Sequence, residues 1–194
     1  MSRIGLYGGS FDPIHNGHLI TALYVLETRR LEKIIFVPCN ISPHKINKHY
    51  LSNEHRLEMT RLAIEGFDNF EVSDYELVKG DISYTFDTLQ HFAGKYTELE
   101  LIVGFDNLMV FDSWKKPDEI LELATLLVLK RNALGGTQSF NKYYEKAVFM
   151  QNPTIELSSS EIRDRIAKDK IVKSMIPDKV FEYIKKNDLY AEKK

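Results

Sequence analysis

The sequence predicts an α/β fold built on a doubly wound parallel sheet, and three observations carry the prediction. Short apolar runs alternate with segments of helical periodicity along most of the 194 residues. The runs are continuously apolar rather than alternating, as strands covered on both faces require. The chemically suggestive residues fall just after those runs, where open parallel sheets place their ligands.

Each element has its own warrant. Ile4 to Tyr7 reads as a buried strand ending in the turn signal Gly8-Gly9. Leu19, Ala22, Leu23 and Leu26 share one face of a helix running from Gly17 to about Arg29. Lys33 to Pro38 is a second apolar strand, followed from Asn40 to Tyr50 by a stretch too rich in Pro, Asn and His for regular structure. Ser52 caps a helix through Glu65, and Phe70 to Val78 is extended. Thr85 to Tyr96 reads as a helix and Leu99 to Val103 as a strand ending in Gly104. A helix from Pro117 to Leu123 leads into the strand Thr125 to Leu129, and Asn132 to Ser139 is a loop. Thr154 to Leu157 is a last short strand and Ser158 to Lys168 a helix. Pro177, in a first-turn position, opens a terminal helix to about Lys186 with Val180, Phe181 and Ile184 inward. With no repeat or linker, residues 1–194 read as a single domain whose C-terminal part, about 158–194, is helical.

Composition narrows the function. Lys plus Arg number 26 against 28 Asp plus Glu, a formal charge of −2, so no basic field points to nucleic acid or an anionic membrane. A local basic pocket remains compatible with that balance. Cys39 is the single cysteine, which rules out an intrachain disulfide or a cysteine metal cluster and reads as a small buried hydrophobe. The N-terminus has no long apolar stretch after a basic one, and the most apolar run, Leu121 to Leu129, is too short to span a bilayer. A cytoplasmic enzyme or binding protein is expected. The oligomeric state stays open, a homo-oligomer included.

Two motifs carry the chemistry. In Gly8-Gly9-Ser10-Phe11-Asp12-Pro13-Ile14-His15-Asn16-Gly17-His18-Leu19, the glycines let the backbone approach a phosphate closely. His15 and His18 sit at a helix start, where free N–H groups and the helix dipole favour an anion. No third metal ligand has a recognisable spacing, so a zinc site is not expected. Gly-x-Gly-x-x-Gly and Walker A patterns are absent. In the second motif, Leu157-Ser158-Ser159-Ser160-Glu161-Ile162-Arg163, Ser158 and Glu161 alone would be a capping box. Three hydroxyls and an arginine at a helix start would also suit a triphosphate tail.

Together these motifs resemble the two signatures of the HxGH nucleotidyltransferases, G-[ST]-F-[DN]-P-x-H-x-G-H-L and I-S-S-T-x-I-R, with Leu157 for Ile and Ser160 for Thr. Pro43-His44-Lys45 resembles the family's phosphate-binding lysine loop, and Gly104-Phe105-Asp106 its ribose-binding G-x-D. Ser83-Tyr84-Thr85-Phe86-Asp87-Thr88-Leu89 is similar to the S-Y-T-x-D-T-L segment of the branch that uses nicotinate mononucleotide. Trp114 falls where that branch sets an aromatic against the pyridine ring, and Arg131 matches an arginine beside adenine.

The resemblance implies a Rossmann-like sheet and a reaction of ATP with nicotinate mononucleotide that gives deamido-NAD and pyrophosphate, a step of NAD biosynthesis. It assigns catalysis to His15 and His18, and ATP binding to Gly8, Gly9, Ser10, Phe11, Lys45, Gly104, Asp106, Arg131, Ser159, Ser160 and Arg163. Thr85 and Trp114 would bind nicotinate, and Mg²⁺ would ride on the ATP phosphates rather than on a carboxylate cage. Other acceptors (nicotinamide mononucleotide, phosphopantetheine, or a phosphorylated alcohol taking CMP) are the nearest rivals. A catalytically idle nucleotide-binding protein is the rival of another class.

Overall fold

The computed structural model describes residues 2–43, 50–130 and 141–191. In chain order its elements are β1 (Arg3–Gly9), α1 (Asn16–Arg29), β2 (Lys33–Pro38), α2 (Asn53–Ile64), β3 (Phe70–Val72), α3 (Tyr75–Lys79) and α4 (Thr85–Ala93). Then come β4 (Glu98–Gly104), α5 (Phe105–Met109), α6 (Pro117–Leu123), β5 (Ala124–Leu129), β6 (Val148–Phe149), α7 (Ser159–Ala167) and α8 (Asp178–Lys186). The strands form one parallel sheet in the order β3-β2-β1-β4-β5-β6.

Period-two alternation along each apolar strand feeds both faces of this sheet. Tyr7, Ile34, Phe36, Ile102, Leu127 and Leu129 pack with α1, α2 and α8 on one side. Ile4, Leu6, Ile35, Val37, Leu101, Val103 and Val128 pack with α4 and α6 on the other. Each such side chain contributes roughly 1.5–3 kcal/mol on burial. The chain runs outward from β1 through β2 to β3, then returns to start β4 on the opposite side of β1. The switch point therefore lies between the carboxyl ends of β1 and β4, at Gly8-Gly9 and Gly104.

Several expectations are corrected. Phe70 to Val78 is not extended throughout: only Phe70–Val72 pairs with β2, and Tyr75–Lys79 is helical. The Ser73 hydroxyl accepts from the Tyr75 N–H at 3.3 Å, and Gly80, with φ 76°, ends the turn. Residues 154–157 form no strand; Val148–Phe149 takes the edge of the sheet instead, paired with Leu127 and Val128. Asn152 then turns the chain away, its side chain bonded to both the N–H and the carbonyl of Lys130. Leu23 is exposed although Leu19 and Ala22 are buried, because the inward stripe is centred on Ala22 and Val25. At about 100° per residue, Leu23 falls about 130° from the centre of that stripe, on the outer side of the helix. Pro177 caps α8 rather than beginning it, and the helix from Thr85 ends at Ala93, capped by Gly94, instead of at Tyr96. The predicted loop from Asn132 to Ser139 lies outside the described residues. The helix α5 and the 3-10 turn Phe111–Ser113 were not anticipated.

Candidate active site

The first motif crosses from β1 to α1 over the switch point. Gly9 carries no side chain because a Cβ there would lie 2.9 Å from the Phe11 ring. Phe11 takes φ 45° and buries its ring among Tyr7, Phe36 and His18, with centroids at 6.0, 5.8 and 5.2 Å. Any contact of Phe11 with a ligand is therefore through its backbone. His15 is the buried N-cap of α1, and its ring stacks on that of His18 with centroids 3.6 Å apart and planes at 24°. A Cβ on Gly17 would come within 3.0 Å of the His15 ring and 3.4 Å of Ile155, so glycine is what lets the imidazole lie flat there.

The His15 backbone N–H donates to His18 Nδ1 at 3.2 Å. An amide can only donate, so Nδ1 presents its lone pair and the ring proton resides on Nε2. His18 is thereby set as a neutral Nε2–H donor.

The second motif begins 138 positions after the end of the first and docks on it. Ser158 caps α7, its hydroxyl accepting from the Glu161 N–H at 3.1 Å. The Ser159 hydroxyl donates to the Pro13 carbonyl at 2.8 Å. Arg163 Nη1 donates to the Asp12 carbonyl at 2.7 Å, and Nη2 to the Ser160 hydroxyl at 3.3 Å.

One cleft is lined by Gly8, Gly9, Ser10, Phe11, His15 and His18 from the first motif. Ser159, Ser160 and Arg163 line it from the second, with Gly104 and Asp106 at the end of β4. The free N–H groups at the α7 start, the imidazoles and the guanidinium make this cleft a donor-rich site that suits phosphate.

A second cleft adjoins it and shares Gly8, Gly9, Ser10 and Asn107 with the first. Thr85 and Trp114 are on its wall, Thr85 as the first residue of α4 and Trp114 packed 5.0 Å from Phe111 after the 3-10 turn. Lys115 lies over the Tyr84 ring at 4.5 Å and pairs with Asp87 at 2.9 Å. Lys45 and Arg131 lie outside the described residues. Every other predicted site residue lines one of these two clefts.

The geometry adds residues that the sequence did not suggest. Arg56, 1 % exposed on α2, donates to the carbonyls of Ser10 (2.9 Å), Cys39 (2.6 Å) and Leu51 (3.2 Å), so one buried cation gathers three segments around the site. A trace was legible: Arg56 lies on the same helical face as Met59, Thr60 and Ala63, where an apolar residue is expected. Glu76 reaches the second cleft from α3 and accepts from the Thr88 hydroxyl at 2.5 Å. Burial raises its carboxyl pKa, against the hydrogen bonds from Thr88 and Ser83. Nothing in the sequence marked it.

Among the described residues, no group of three or more His, Cys, Asp or Glu could hold a metal ion. Among the same residues, no helix is long and apolar enough to cross a membrane.

Comparison with known proteins agrees with this geometry. Residues 6–165 match the family described as cytidylyltransferase-like. A relative from Clostridium tetani, named "Probable nicotinate-nucleotide adenylyltransferase", is 38% identical over 98% of this chain and 100% of its own. One of the same name from Caldicellulosiruptor bescii is 40% identical over 97% of this chain and 98% of its own. The solved nicotinic acid mononucleotide adenylyltransferase of Plasmodium falciparum, complexed with APC, shares the fold with a TM-score of 0.77 at 21% identity, covering 98% of each chain. The chain thus belongs to the cytidylyltransferase-like nucleotidyltransferases, in the branch of the nicotinate-nucleotide adenylyltransferases.

Proposed function

We propose that the protein transfers AMP from ATP to nicotinate mononucleotide, giving nicotinate adenine dinucleotide and pyrophosphate in NAD biosynthesis. The observation that carries this is the pair of clefts meeting at Gly8-Gly9-Ser10, one rich in anion donors and one walled by Trp114 and the α4 start.

A nucleotide in the first cleft and a mononucleotide in the second bring two phosphates together across the β1 glycines. The acceptor's 5′-phosphate oxygen attacks the α-phosphorus in line. A new P–O bond forms, the bond to the β-phosphate bridging oxygen breaks, and pyrophosphate leaves with the electron pair. No enzyme nucleophile is needed, so catalysis consists of positioning and charge stabilisation.

His18 Nε2–H donates to the phosphate oxygens as their charge grows, and His15 supports it by stacking. Ser160, Arg163 and the N–H groups of Ser159 and its neighbours hold the β- and γ-phosphates, joined by Lys45. Asp106 accepts from the ribose and Arg131 flanks adenine. The cleft's donors are N–H, O–H and guanidinium groups that suit anions rather than bare cations, so Mg²⁺ comes bound to the ATP phosphates and partly neutralises them. The reading places the enzyme in the cytoplasm, with ATP and nicotinate mononucleotide as its partners.

The test is pyrophosphate release with ATP or CTP against nicotinate mononucleotide, nicotinamide mononucleotide, phosphopantetheine and a phosphorylated alcohol. ATP with nicotinate mononucleotide should be fastest by kcat/KM. Faster release with phosphopantetheine, or with CTP and a phosphorylated alcohol, would overturn the acceptor assignment.

A further inference from the structure

The last turn of the described chain reaches back to the first motif. After α8, Leu189 is buried in the core beside α2, with its N–H on the Ile184 carbonyl at 3.0 Å. This anchor presents Tyr190, whose φ is 66°, to the loop after β1. The Tyr190 hydroxyl donates to Asp12 Oδ1 at 2.7 Å, and Asp12 is only 1 % exposed.

Asp12 is the residue whose carbonyl receives Arg163 Nη1 at 2.7 Å, and its other carboxylate oxygen, Oδ2, lies 3.9 Å from the same nitrogen. A chain of contacts thus runs from the C-terminal turn through a buried aspartate to the arginine facing the phosphate cleft. Burial, and then the neighbouring carboxylate, push the phenol far above its ordinary pKa, so it remains a donor throughout the working range of pH.

We infer that Tyr190 is a positioning residue for phosphate binding, holding Asp12 so that Arg163 is aimed at the cleft. The inference rests on the proposed reading of Arg163 as a phosphate ligand. Without the Tyr190 bond the carboxylate, whose Oδ2 already lies 3.9 Å from Nη1, could close fully on Arg163 and compete with phosphate for its guanidinium. Bonded to Tyr190, it instead leaves Nη1 on the carbonyl and Nη2 beside Ser160, turned to the cleft. The C-terminal turn, 27 residues past Arg163 in sequence, thereby becomes part of the nucleotide site.

Tyr190→Phe tests this, because it keeps the ring and removes only the hydroxyl. Steady-state kinetics should show KM for ATP raised about three- to tenfold, with KM for nicotinate mononucleotide unchanged. KM does not depend on the folded fraction, so a merely structural role would lower the melting temperature and apparent kcat without moving it. In an Arg163→Ala background, Tyr190→Phe should add no further change in KM for ATP.

Three results overturn the inference: an unchanged KM for ATP in Tyr190→Phe, equal rises for both substrates, or factors that multiply in the double variant. If Arg163→Ala alone leaves KM for ATP untouched, the phosphate role of Arg163 falls and the inference falls with it. Where Arg163→Ala weakens ATP and Tyr190→Phe does not, only the inference fails.

Discussion

His18 owes its chemical state to a single amide. With Nδ1 accepting from the His15 N–H at 3.2 Å, the ring keeps its proton on Nε2 and is a neutral donor. A preorganised neutral donor gains most as charge develops on the transferring phosphate, and less in the ground state. His18→Ala should therefore lower kcat by about a hundredfold or more, while KM for ATP changes far less. A variant impaired only in KM would contradict that role. Glu76 is the opposite case, a carboxyl kept where its charge is costly. Its folded pKa is raised, so the stability it contributes is full below the unfolded value and is lost as pH rises through the folded one. Glu76→Gln keeps an acceptor for Thr88 without the charge. Its melting temperature should exceed wild type by roughly 2–4 °C near pH 8, about 1 kcal/mol for a chain of this length, and the gap should close toward pH 4. Melting curves at both pH values decide it.

Two elements carry the residues proposed to bind the acceptor, the start of α4 and the 3-10 turn that delivers Trp114. A flat pyridinium stacked on an indole gains equally whether it bears a carboxylate or an amide. Trp114→Ala should therefore weaken nicotinate and nicotinamide mononucleotides alike, by about 2- to 30-fold in kcat/KM. Selectivity must come from donors, and the first N–H groups of α4 are suited to a carboxylate. Thr85 is the first residue of that helix and Tyr84 before it is extended, at φ −98° and ψ 123°. Both positions accept proline at 85 without rebuilding the backbone. Thr85→Pro should thus erode the preference for the acid while the helix survives; kcat/KM for both acceptors, with circular dichroism, checks both halves. At this scale the sequence was a good guide wherever punctuation was strong. Ser158 was legible as a cap, and the continuous apolar runs as buried strands. The short α3 was not, because five residues are too few to show a period and Glu76 lies inward where the pattern expects an apolar side chain.

Across the molecule, the two motifs meet because α7 lands on the β1–α1 loop, and Arg56 holds the floor beneath them. Its guanidinium satisfies the carbonyls of Ser10, Cys39 and Leu51, which no other donor could reach from α2 with one side chain. Arg56→Met would remove the donor from the buried Cys39 carbonyl and from the part-buried carbonyls of Ser10 and Leu51, at about 3 kcal/mol or more. A chain of this length should then melt roughly 6–12 °C lower, and activity should fall as the loops carrying Ser10 and Cys39 lose their common anchor. Calorimetry with parallel rate measurements tests this; a melting temperature within two degrees or so of wild type would refute it.

The sequence by itself determined the parallel sheet, the turn at Gly8-Gly9 and the candidate residues of both motifs, because apolar runs and glycine turns are local signals, whereas the switch point followed only from the strand order. It also carried the family resemblance, since those motifs are contiguous strings. Only the tertiary structure decided which proton His18 presents, that the Ser159 hydroxyl bonds to Pro13, and that Arg56, Glu76 and Tyr190 belong to the site's surroundings. Apart from the His15–His18 contact, which spans three positions, those facts depend on contacts between residues 12 to 178 positions apart, Thr88 with Glu76 being the nearest and Tyr190 with Asp12 the farthest. No periodicity encodes them. They arise when the buried polar groups of separate elements must find partners within one packed interior.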